Sequence, residues 1–84
     1  MKLTEYKIDF LTYTSNDRVK SDCADITFAN TGTTNITING SLVISPFQSL
    51  TLTANKDEID RTIYSFFFSG AGTNKLVVFR KIYI

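Results

Sequence analysis

The sequence has 84 residues, a formal net charge of +1, 43% hydrophobic residues and 20% charged residues. That length supports one domain with a modest core and excludes two, the composition is that of a globular chain, and the balanced charge gives no pull toward nucleic acid or an anionic membrane. A single cysteine, Cys23, and the lack of histidine exclude an internal disulfide, the common zinc sites and histidine-based catalysis.

Taken in chain order, the sequence reads as short strands. Glu5, Lys7 and Asp9 interrupt any apolar run near the start, so no signal peptide is expected. The longest apolar runs, 66–68 and 76–79, are far too short for a membrane helix. Residues 6–14 form the first expected strand, with Tyr6, Ile8 and Phe10 on one face and Lys7, Asp9, Leu11 and Tyr13 on the other. A turn over 15–18 follows, with 19–21 continuing extended. Strands are expected over 25–29, where Ile26 and Phe28 alternate with polar residues, and over 35–38, with Ile36 and Ile38 inward.

Asn39-Gly40 tolerates positive φ at both positions and predicts a hairpin into Leu42–Ile44. Pro46 marks another turn. Residues 49–53 alternate with Leu50 and Leu52 inward. Residues 54–60 read as an acidic loop, and the last two strands fall at 62–69 and 75–84, joined at Gly70-Ala71-Gly72 as a hairpin. The expected fold is all-β: an antiparallel β-sandwich, Ig-like or jelly-roll-like, of seven to eight short strands. Residues 1–84 make one domain, with 1–22 as an N-terminal strand or arm.

The last two strands break the pattern of an antiparallel sheet with one wet face. Tyr64, Phe66 and Phe68 share one face while Ile63 and Phe67 lie opposite. Leu76, Val78, Ile82 and Ile84 share a face with Arg80, and Val77, Phe79 and Tyr83 share the other with Lys81. A two-layer sandwich has one interior, so a second apolar face needs a cover. Leu11 and Tyr13 of the first strand are available for that. Leu11, Tyr13, Ile63, Phe67, Val77, Phe79, Tyr83 and Ile84 are therefore the candidate interface residues, and the apolar Ile84 implies a docked end.

Catalytic chemistry is not apparent. Without histidine no serine or cysteine has the usual base, and Cys23, ahead of an apolar strand, reads as a small packed side chain. Asn55, Asp57, Glu58 and Asp60 carry oxygens that suit calcium, but their spacing fits no EF-hand; a solvated acidic loop is expected. No cofactor, metal, nucleic acid or membrane is expected as a ligand. Tyr6, Tyr13, Tyr64 and Tyr83 keep open a carbohydrate-binding or adhesion module as the alternative to an assembly part.

The stretch from residue 24 to 52, with Asn30-Thr31-Gly32-Thr33, Asn39-Gly40, Pro46 and Leu50-Thr51-Leu52, resembles Ig-like and related β-sandwich domains. The tail from Ile63 to Ile84 is similar to the closing segment of small β-sandwich structural proteins of tailed bacteriophages. That resemblance implies a non-enzymatic virion part: a head-decoration, connector, tail or fibre-attachment subunit, made in the host cytoplasm and present as a homo-oligomer beside other virion proteins.

Overall fold

The computed structural model describes residues 5–55 and 58–84. The described residues form eight strands divided between two sheets: β1 (Tyr6–Tyr13), β2 (Asp17–Lys20), β3 (Asp25–Asn30), β4 (Ile36–Ile38), β5 (Leu42–Ile44), β6 (Ser49–Thr53), β7 (Ile63–Phe68) and β8 (Leu76–Tyr83). The first sheet has the order β1-β8-β3-β6 and the second β2-β7-β4-β5, and every strand pair is antiparallel. Among the described residues there is no helix. The expected antiparallel β-sandwich is the fold, with eight strands where the sequence predicts seven to eight.

The β7–β8 hairpin expected from the sequence does not exist. β7 pairs with β2 and β4, and β8 pairs with β1 and β3, in opposite sheets. The physical reason lies in their inward faces. Tyr64, Phe66 and Phe68 from one strand, and Leu76 and Val78 from the other, are all buried in one core; strands in opposite sheets can face each other across an interior, whereas hairpin partners lie side by side. The connection between them closes against the 31–33 turn, where Thr31 N donates to Lys75 O (3.1 Å) and Thr33 N to Thr73 O (2.8 Å). Gly32 is required there, since a Cβ at that position would lie 2.8 Å from Lys75 N. Only the β4–β5 connection stays within one sheet, and it turns where Asn39 and Gly40 both have positive φ (50° and 69°) as the sequence predicts.

The core fills the space between the sheets. Ile26, Phe28, Ile36, Leu76, Val78 and Phe66 are fully buried, and Phe28 meets Tyr64 edge-on with ring centroids 5.2 Å apart. The alternation read in β3, β4 and β6 holds: Ile26, Phe28, Ile36 and Ile38 are buried, and Leu50 and Leu52 pack partly buried against the core. Asn30 is the polar exception, 1% exposed. Its amide donates to Thr34 O (2.7 Å) and Ile44 O (3.0 Å), and its Oδ1 accepts from Gly32 N (3.1 Å), so one side chain bonds to three backbone groups. β1 and β2 together occupy the N-terminal segment, each as an edge strand of a different sheet.

Candidate functional site

A strip of apolar side chains lies on the outside of the first sheet, with Tyr6, Ile8 and Phe10 exposed on β1. Register places Tyr6 opposite Tyr83, Ile8 opposite Lys81 and Phe10 opposite Phe79 on β1 and β8. The Phe10 and Phe79 rings pack with centroids 5.7 Å apart. Lys81 Nζ sits 4.7 Å from the Tyr6 ring centre and 5.7 Å from that of Tyr83, a cation held over two aromatic faces. Phe10 is 67% exposed and Tyr6 54%. Toward β6 the same face becomes polar, with Thr27 beside Thr51 and a hydroxyl–hydroxyl hydrogen bond of 3.0 Å between them. A shallow cavity of about 240 Å³ marks the boundary, lined by Tyr6, Ile8, Asp25, Thr27, Thr51, Phe79 and Lys81.

The predicted interface residues divide between three places. Val77, Phe79 and Tyr83 are partly buried on this outer face, shielded sideways because β8 is a central strand. Ile63 and Phe67 are exposed on the outside of the second sheet, on the far side of the molecule. Leu11 and Tyr13 face inward and pack against the core, Tyr13 meeting Phe66 edge-on at 4.8 Å. The two-faced "hairpin" is thus two outer faces pointing in opposite directions. At Ile84 the backbone is docked, its N–H donating to Glu5 O at 3.0 Å, but the side chain is 72% exposed, so the expected docking is by backbone alone.

Sequence reasoning missed Tyr6, Ile8 and Phe10 because both faces of β1 carry large apolar residues. The deciding signal was charge. Asp9 lies on the Leu11–Tyr13 face and Arg80 on the Leu76–Val78 face, and an acid and a base on two inward faces belong together. Arg80 Nε and Nη2 both donate to Asp9 Oδ2. Its Nη1 reaches across to Lys20 O (2.8 Å) and Ser21 O (3.2 Å), tying the first sheet to β2. Beside this tie the sandwich opens into a cleft of about 510 Å³ lined by Leu11, Tyr13, Arg18, Val19, Lys20, Ile63 and Arg80.

A second polar cluster surrounds Asp60. Cys23 and Asp60 exchange backbone hydrogen bonds (3.2 and 2.8 Å). Ser21 Oγ donates to Asp60 O (2.6 Å), Tyr64 Oη to Asp60 Oδ2 (2.6 Å) and Thr62 N to Asp60 Oδ1 (2.8 Å). Burial alone raises the carboxyl pKa, but hydrogen bonds from Tyr64, Thr62 and Ser21 outweigh it and hold the group below its ordinary value. The Cys23 thiol, fully buried, is pushed up to about 11 by desolvation and by Asp60. A neutral thiol beside a hydrogen-bonded carboxylate is a packing arrangement, the reverse of an activated nucleophile. Among the described residues no three metal-ligating side chains converge. Glu58 Oε1 accepts from Asn55 N at 2.7 Å, and Asp57 lies outside the described residues. Of the four tyrosines, Tyr64 is in the core and Tyr13 against it, leaving Tyr6 and Tyr83 on the surface.

No protein-family model matches the sequence, and no curated protein matches it.

Proposed function

We propose that this protein is a non-enzymatic structural subunit of a larger assembly that packs against neighbouring protein copies through the outer face of its first sheet. The observation that carries the reading is the apolar strip on the outside of the first sheet, where Tyr6, Ile8 and Phe10 are exposed beside the partly buried Phe79 and Tyr83. Covering a half-exposed side chain of this size contributes about 1–2 kcal/mol, so the strip supplies several kcal/mol to any neighbour that matches it. The resemblance to tailed-phage structural proteins supports a virion setting, with other copies and other virion proteins as the partners. Light scattering across a concentration range tests this. The wild-type chain is expected to form a defined oligomer, and Phe10→Asp, at a site two-thirds exposed, to abolish it while leaving the fold intact. A monomer at every concentration, or an oligomer that Phe10→Asp leaves unchanged, refutes the reading.

One observation favours a carbohydrate-binding role as the second reading. The shallow cavity on the same face sets the Tyr6 ring beside Asp25, Thr51 and Lys81, an aromatic platform with polar groups at its edge. A glycan array with no hit on folded protein, or a hit that survives Tyr6→Ala, removes it.

A further inference from the structure

Among the described residues β1 is an edge strand, bonded to β8 on one side only, and at eight residues it is the longest of the four edges. It contains no proline or glycine, so its only blunting devices are the charges of Lys7 and Asp9. The direction of its free backbone groups follows from two hydrogen bonds. Thr31 N donates to Lys75 O, and Ile84 N donates to Glu5 O. Odd residues of β8 therefore serve β3 and even residues serve β1, where their direct partners are odd. It follows that Tyr6, Ile8, Phe10 and Thr12 aim their N–H and C=O groups outward, along the open edge.

We propose that this edge pairs antiparallel with β1 of a second copy of the chain, in the register that sets Ile8 opposite Ile8 of the other copy. The proposal deepens the assembly reading above and rests on it. Only even residues can bond across the open edge, which limits the register to steps of two. Shifted one step in one direction, Lys7 opposes Lys7; shifted one step in the other, Asp9 opposes Asp9. Like charges directly opposite disfavour both. In the register centred on Ile8, Lys7 opposes Asp9 and Asp9 opposes Lys7, while Tyr6 opposes Phe10 on the outer face. The charges that would guard an isolated edge become complementary when the strand meets itself. A two-fold axis normal to the sheet then joins two four-stranded sheets into one of eight, and merges the two aromatic strips into a single surface.

The test uses charge variants of the full chain, followed by light scattering. Lys7→Glu puts acid against acid at two places in the dimer and is expected to weaken self-association by roughly 30-fold. Asp9→Lys is expected to do the same with bases, its fold checked by circular dichroism because Asp9 also holds the Arg80 guanidinium; should it unfold, Lys7→Glu, which leaves that ion pair in place, carries the test. Mixing the two variants restores opposite charges at every position, so a heterodimer should form. Oxidation of Ile8→Cys should then give a cross-linked dimer, since directly opposed residues of a hydrogen-bonded pair have Cα atoms about 5.5 Å apart; Phe10→Cys should not cross-link. Cys23 is buried and stays silent. An oligomer indifferent to both charge variants and refractory to the Ile8→Cys cross-link overturns the edge pairing and leaves assembly through the sheet face standing. A monomer in every sample overturns both.

Discussion

Replacing Asn30 with alanine removes three hydrogen bonds at once, from a side chain that is 1% exposed. A typical internal hydrogen bond contributes about 1 kcal/mol net, and a buried group left without its partner costs more, up to ~3 kcal/mol. Thr34 and Ile44 are themselves buried, so water cannot readily replace the amide. The expected loss is about 3–5 kcal/mol, a large part of the stability of a domain this size. Urea unfolding followed by fluorescence or circular dichroism measures it as a lower midpoint at unchanged slope. Asn30→Asp sharpens the test. It keeps an acceptor for Gly32 N but turns a carboxylate toward two carbonyl oxygens, so at neutral pH it should fall below the alanine variant and recover on acidification as the carboxyl gains a proton. If Asn30→Ala costs less than about 1 kcal/mol, the turns hold themselves and the bridging role is wrong.

Two further outcomes are expected. Phe47 has φ of 64° and is 80% exposed, at the third position of a Pro46 turn closed by Gln48 N donating to Ser45 O, so Phe47→Gly should relieve left-handed strain and stabilise by about 0.5–1 kcal/mol after the entropy of glycine is counted; a lower melting temperature would mean that the ring contributes packing. Asp60, whose folded carboxyl lies below its ordinary value, contributes stability that is present above the unfolded value near 3.8 and is lost as pH falls through the folded one. Asp60→Asn should therefore lower stability at neutral pH and flatten the decline below pH ~4 in acid titrations, and an unaltered acid limb would contradict the assignment.

Much of this fold was legible from alternation. β3, β4 and β6 each carry a polar face and an apolar face, and one reading of them is possible. The Asn39-Gly40 turn declares itself because two consecutive residues must accept positive φ. What the pattern could not convey is which strands are neighbours. β8 has apolar residues on both faces because it is central, flanked by β1 and β3, and that appears in a linear reading as surplus apolar surface. β7 and β8 follow one another and both look sheet-forming, so proximity favours a hairpin; the burial of Phe66 and Val78 in one interior decides against it. For the surface, Ile63 and Phe67 were readable because they oppose three aromatic residues of the same strand. β1 was ambiguous, and only the cross-strand partnership of Asp9 with Arg80 resolves which side faces in.

The threading of the chain also governs when it can fold. With a single local hairpin and every other connection passing between sheets, almost no pairing can form early from adjacent segments, so folding is expected on the slow, millisecond-to-second scale of non-local β proteins. β8 is the keystone: β1 waits beside an empty place until residues 76–83 arrive between it and β3. A nascent chain on the ribosome therefore holds its first sheet open until its last strand emerges, with the aromatic strip and both of β1's edges unpaired for the whole interval.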